Sequence, residues 1–464
     1  MFIVWLRDRL EMKRRSLLTL GASTVFFAAC APSRRDGGAS SGGPLEIWWS
    51  EGYYPEEADA VELIVNRWRT RTRKEVRLTF FSEKEIEARA SAVARGGPRP
   101  DILYGYGLNE TVLPLLAWQG MLTDLTANVS PLRDRLVPGV IRAVTYRNQR
   151  DRRQSIYAAP IAQQAVNIHY WRDLLAETGA STVVPDRWVP FWQFWREAQV
   201  LLRSKGFNEV YGLGLPMSPL ASDTANIFEY VLQGHGAQLM DGDGHLRLDA
   251  PGTRECIVAA LADYTGNYRE GYVPPQAVSW SDADNNISFL SSLSLMTMNP
   301  TLSIPGSQLA DEITYIERLG SLDWPRCIDG SQMPAIPSIK QVAVLSSSAN
   351  LAMARDFVAD LLEPANTRLF VQGSQGRFLP VLTALLNEPY WKNRHDPHLL
   401  AAHRLLQRPR RQPYTVLNPA YSEVFRQNIW GRAIKSIAKD GVPAAQAADD
   451  AITAIETIVE RWWR

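Results

Sequence analysis

Leu45-Glu46-Ile47-Trp48-Trp49 opens a run of segments whose alternation decides the fold. It is short, apolar-rich and strand-like. Pro55 to Arg69 follows, with apolar residues at Ala58, Val61, Ile64, Val65 and Trp68, the stripe of one helix face. Val76 to Phe81 is again strand-like. Glu83 to Ala94 is helical and stops at Gly96-Gly97-Pro98. Asp101-Ile102-Leu103-Tyr104, entered through Pro100, is a third strand. Strand, helix, strand, helix, strand at this spacing predicts a parallel sheet with crossover helices. Ligands of such sheets sit outside the C-terminal strand ends, here Trp49 to Tyr54, Ser82 and Tyr104 to Asn109.

Upstream of this run lies an address. Met12 begins a secretion signal, with Lys13, Arg14 and Arg15 as its basic region and Ser16 to Ala29 as its uncharged, mostly apolar stretch. The stretch is too short to span a bilayer and closes on Phe27-Ala28-Ala29-Cys30. Small residues directly before a cysteine resemble the bacterial lipobox, which makes Cys30 the expected lipidated first residue. Lys13-Arg14-Arg15-Ser16-Leu17-Leu18 also fits a twin-arginine pattern, so the export route stays open, as does the start at Met1 or Met12. Ala31 to Pro44, rich in Gly and Ser, reads as a flexible tether.

Downstream, the body is an ordinary globular chain. The 464 residues carry 50 Lys plus Arg against 49 Asp plus Glu, with 45% hydrophobic and 21% charged residues. That length holds two or three domains, and the balanced charge argues against nucleic acid as a partner. Three Cys make no disulfide scaffold and no zinc spacing. Cys256 and Cys327 are left as two residues that pair or stay free. No HExxH, GxSxG, Walker A or GxGxxG is present, and no metal set or cofactor motif is expected. Asp241-Gly242-Asp243-Gly244-His245 begins like a calcium loop but has Leu246 where that loop needs Gly, so a hairpin turn is the reading. Trp188, Trp192 and Trp195 have helix spacing and read as core.

Five passages, in order, resemble the family 1 extracellular solute-binding proteins of ABC importers, the sugar-binding lipoproteins and their maltose-binding relatives. They are Leu45 to Trp48; Gly96 to Ile102 with Trp118-Gln119-Gly120-Met121-Leu122-Thr123-Asp124-Leu125; Tyr157 to Leu174; Pro185 to Gln199; and Asn418-Pro419-Ala420-Tyr421 with the C-terminal helices. The resemblance implies a periplasmic-binding-protein-like type II fold, two α/β lobes joined by a multi-strand hinge with the ligand cleft between them. It implies crossings near Ile161 to Tyr170, Thr314 to Pro325 and Phe357 to Pro364. The expected division is a signal peptide with upstream extension at 1–29, a lipid-anchored tether at 30–44, lobe 1 at 45–164 with a return segment 326–360, and lobe 2 at 165–325 with the C-terminal helices in 361–464.

The implied function is a non-enzymatic, extracytoplasmic receptor. It takes a neutral sugar, small oligosaccharide or glycoside and delivers it to the transmembrane subunits of a permease. It is expected as a monomer held to the membrane by its lipid alone. Sugar sites combine aromatic faces with planar polar groups. The candidate contacts are Trp49, Ser50, Glu51 and Tyr53 after the first strand; Tyr104, Tyr106 and Asn109 after the third; Gln163 and Gln164 before the hinge; and Asp223, which is equally a helix cap. Trp280 to Asn286 adds Trp280, Asn285 and Asn286, on no clear period. Asn299 follows a buried strand, and Arg377 and Phe378 close a Gly-bounded loop. The family's usual Gly-Pro-Trp is missing near Asn299-Pro300, with Trp280 or Trp324 as its replacement. Two rival readings stay open: a lipid-anchored glycan hydrolase using Glu51 with Asp223 or Asp282, and the same receptor with a non-sugar ligand.

Overall fold

The computed structural model describes residues 43–463. Cys30, the leader and all but the last two tether residues lie outside them. Strands β1 (Leu45–Ser50), β2 (Val76–Phe81) and β3 (Ile102–Tyr104) are parallel neighbours, linked by helices α1 (Pro55–Thr72) and α2 (Glu83–Val93). Period-two alternation buries Leu45, Ile47 and Trp49 and leaves Glu46 and Trp48 half-buried. Helix α1 starts on a proline and buries Val61, Ile64, Val65 and Trp68. A short helix α3 (Leu113–Trp118) and the hairpin β4 (Thr145–Asn148) and β5 (Arg153–Ile156) follow. Strand β6 (Ala159–Gln164) completes the first sheet with one later strand.

The chain then crosses through Ala165-Val166 into a second sheet. It holds β7 (Asn167–Trp171), β8 (Tyr211–Gly214), β9 (Ser294–Asn299) and β10 (Leu319–Leu322), in the order β10-β7-β9-β8. Around it pack α4 (Trp188–Ser204), α5 (Ser222–Gly234), α6 (Thr253–Arg269) and α7 (Asp284–Leu290). Trp188, Trp192 and Trp195 are buried on α4, as their spacing requires. Strand β11 (Ser338–Val344) returns antiparallel between β3 and β6, giving the first sheet the order β2-β1-β3-β11-β6. These are two α/β lobes with the chain crossing between them three times.

The return segment runs further than the expected 326–360. Helices α8 (Leu351–Leu361) and α9 (Pro364–Gly373) both pack on α1, and α9 also meets β6. Leu379 and Leu382 still bridge to Gln163 and Leu136 of lobe 1. The chain leaves lobe 1 after that, and α10 (Pro397–Leu406) packs on β10. The last helices, α11 (Ile429–Asp440) and α12 (Ala444–Trp463), lie on α6 of lobe 2. A short helix, Tyr421–Arg426, precedes α11 and is separated from it at Asn428. That residue adopts φ +47° and caps α11 by accepting from Gly431 N–H.

Candidate functional site

Two elements of lobe 1 face lobe 2 across the cleft: the turn from β1 into α1, and the loop after α9. Tyr54 Oη donates to the Ser303 carbonyl of lobe 2 at 2.6 Å. Asn286 Nδ2 donates to Tyr53 Oη at 3.4 Å and to Ser303 Oγ at 3.2 Å. Leu302 N–H reaches the Arg377 carbonyl at 3.4 Å. Gly306 permits this approach, since a Cβ there would lie 2.6 Å from Tyr54 Oη and 3.0 Å from the Gln375 carbonyl.

Arg377 organises the lobe 1 side. Both Glu57 carboxylate oxygens accept from its Nη1 at 3.1 Å, and Glu83 lies 3.8 Å from Nη2. Its guanidinium is 4.4 Å from the Tyr106 ring centroid and 4.8 Å from that of Phe378. Lys340, fully buried on β11, donates to the Tyr106 carbonyl at 2.7 Å and lies 3.8 Å from the same ring. Burial pushes the Lys340 ammonium down to about 8. Tyr106 Oη in turn accepts from Gln164 Nε2 at 3.1 Å.

On the lobe 2 side, Asp282 does the capping that the sequence offers to Asp223. Its Oδ1 accepts from Ser222 Oγ at 3.0 Å and Asp223 N–H at 3.2 Å, at the start of α5. The Asp223 carboxylate is thus released from the cap. It is buried, with Asn285 Nδ2 at 3.4 Å as its side-chain donor and no cation within salt-bridge distance among the described residues. Burial, and then the Asp282 charge, push it well above the usual carboxylate range.

Several expected contacts take up packing or supporting positions instead. Trp49 and Tyr104 are register partners on parallel strands. They stack on each other at 4.3 Å with Phe370 edge-on to both. Trp49 is 2% exposed, so its ring serves the lobe 1 core rather than a ligand face. Trp280 is also buried, and Trp324 stacks on Tyr230 at 4.5 Å while donating to the Val166 carbonyl. Phe378 is buried between Tyr106 and Phe370. Gln163 pairs with Leu379 and donates to the Pro380 carbonyl, a hinge role. Trp280 to Asn286 is more regular than its sequence suggests, because α7 starts at Asp284, whose Oδ2 accepts from Ser281 N–H and Oγ. Asn299 donates to Asn286 Oδ1 and accepts from Thr301 N–H, ordering the 299–303 turn. Ser50 is buried at the end of β1, and Glu51 is exposed beside it.

The unpartnered buried atoms around the seam include one donor, Arg377 Nε, beside several acceptors. Among the described residues, the buried amide oxygens of Asn109, Gln163, Gln164 and Asn285 have no donor. Asn285 is fixed in orientation, because its Nδ2 serves the Met298 carbonyl as well as Asp223. Buried acceptors without donors are uncommon in folded proteins. Sequence reading missed Glu57, Glu83 and Lys340. A lysine inside the apolar run of β11 was the one visible signal.

Two lobes that both feed polar side chains into one seam, with the chain crossing between them three times, define a two-lobed ligand receptor. The chain belongs to the bacterial extracellular solute-binding protein family, whose model matches residues 54–368. Among curated proteins, none matches. Among solved structures, the fold is similar to the maltose-bound MalE3 of T. maritima, at 17% identity over 89% of this chain and 99% of that one, TM-score 0.71. It is also similar to the acarbose-binding GacH receptor of Streptomyces glaucescens, at 15% identity over 89% and 98%, TM-score 0.69. A third is the sugar transporter protein of Arthrobacter chlorophenolicus with bound laminaribiose, at 15% identity over 89% and 99%, TM-score 0.71.

Proposed function

We propose that this chain is the extracytoplasmic receptor of an ABC importer. It binds a neutral sugar, small oligosaccharide or glycoside between its lobes and delivers it to the permease transmembrane subunits. The observation that carries the reading, beyond family membership, is the acceptor-rich seam. The unpartnered oxygens of Asn109, Gln164 and Asn285, with Asp223, match the hydroxyl donors of a saccharide. Three relatives of the same fold hold maltose, acarbose and laminaribiose. No bond is made or broken in this reading; closure presents a liganded form to the permease. The protein works as a monomer anchored by acyl chains on Cys30.

Calorimetry against a panel of mono- and disaccharides tests the ligand class. A saccharide that binds, with Asp223→Asn and Gln164→Ala each weakening it about tenfold, is expected from loss of one buried hydrogen-bonding group. A folded protein that binds no saccharide in the panel ends the sugar reading. Membrane fractionation of Cys30→Ser tests the anchor, with release into the soluble fraction expected.

A further inference from the structure

Helix α12 is rooted in lobe 2, yet its last two residues lie on lobe 1. The Trp462 and Trp463 rings sit 5.6 and 4.9 Å from Trp118, at the end of α3. The Arg147 guanidinium of β4 lies 5.2 Å from the Trp463 ring and 6.0 Å from that of Trp118. Trp463 is still 46% exposed, so its core contribution is small and its contacts are edgewise. Beside it the lobes stand apart. A cavity of about 500 Å³ separates Tyr146, Arg147 and Gln154 of lobe 1 from His245, Asn418 and Trp463 of lobe 2. Arg142, donating to the Gly242 carbonyl, also crosses at this edge, and Arg410 Nη1 donates to the Pro138 carbonyl nearby at 2.8 Å. None of the cleft residues described above lines this cavity.

We infer that Trp462 and Trp463 form a clasp that holds lobe 2 on lobe 1, and so act as positioning residues for the cleft without touching its ligand. The proposal rests on the receptor reading above. One rigid-body arrangement of the lobes satisfies both the clasp and the cleft seam of Tyr54 with Ser303. Contacts that share one arrangement raise each other's population. An aromatic cluster of this kind shifts the closed fraction by about three- to tenfold.

The test is small-angle scattering of the ligand-free full chain. Trp462→Ala with Trp463→Ala is expected to raise the radius of gyration, with the unfolding midpoint within ~3 °C of the parent. Trp118→Ala is expected to give the same expansion from the other lobe, and all three substitutions together no more than either set. Arg147→Ala, on a half-buried side chain, is a second route should Trp118→Ala fail to fold, and is expected to expand the chain in the same direction. An unchanged radius in the folded tryptophan variant overturns the clasp, as do expansions that add independently. Because no ligand is present, failure here leaves the sugar panel untouched, and a blank panel leaves the scattering result to stand on its own.

Discussion

Arg377 and Glu57 form an ion pair in which each side chain is 7% exposed. Removing one partner of such a pair costs about 3–5 kcal/mol, because the other charge stays buried and unpaired. The two halves are not equivalent here. Arg377→Met strands Glu57, which keeps only the N–H groups of Tyr53 at 3.0 Å and Tyr54 at 3.4 Å. It also removes the guanidinium from the Tyr106 and Phe378 rings. A loss near the upper end, about 4 kcal/mol, is expected. Glu57→Gln is milder, at about 2 kcal/mol, since Arg377 can turn to Glu83, already 3.8 Å away, and the introduced amide oxygen can still accept from Tyr53 N–H. The double variant buries no charge at this spot, so its loss should fall short of the sum by about 2 kcal/mol. Urea unfolding followed by circular dichroism reads all three. Losses that add within ~0.5 kcal/mol would refute the pair as a coupled unit. A larger loss for Glu57→Gln than for Arg377→Met would count against the rescue by Glu83.

Three further outcomes follow from the geometry. His169 and His398 are buried on either side of Ser321, whose hydroxyl lies 2.8 Å from one Nδ1 and 2.7 Å from the other. His398 Nε2 donates to the Tyr315 carbonyl, so its Nδ1 accepts from Ser321, and His169 Nδ1–H completes the chain. Burial lowers these imidazoles to about 3 and about 4. The unfolded chain therefore takes up protons first, and stability is lost as pH falls from about 6.5 toward 4, by roughly 1.4 kcal/mol per unit for each histidine. Denaturation midpoints across that window should fall less steeply in His169→Gln with His398→Gln, and an equal slope counts against the assignment. Tyr54→Phe removes the 2.6 Å bond to the Ser303 carbonyl and should weaken binding of any cleft ligand about fivefold in calorimetry; unchanged affinity means that this bond does not hold the cleft. Cys256 and Cys327 are free thiols, the first half-buried and the second buried. Alkylation of the native protein should label Cys256 faster, and a mass two units low before reduction would contradict the free pair.

Local chemistry made the lobe 1 fold legible. Leu45 to Tyr104 alternates strand and helix with proline and glycine punctuation, and each piece formed where its period placed it. The cleft was legible by region more than by residue. Tyr53, Tyr106, Gln164, Asn286 and Arg377 do meet at the seam, because strand ends and the loop after α9 converge there. Trp49 went to the core because its register partner is another aromatic, Tyr104, and pairing between strands is invisible along one strand. Glu57 looked like an ordinary first-turn acid of α1, since its arginine lies 320 residues away.

The 280–286 stretch shows why polar residues off any period are ambiguous. Such residues answer either a ligand or an orphaned backbone N–H, and both want the same carboxylates and amides. Asp284 answers its own helix, which sequence alone permits. Asp282 answers a helix begun 60 residues earlier, which it does not. That second pairing has the wider structural consequence. Because Asp282 takes the start of α5, Asp223 turns its carboxylate to Asn285. A cap supplied from a distant loop thus decides between two equal readings of Asp223: it is not the cap of α5, and its buried carboxylate is left to Asn285.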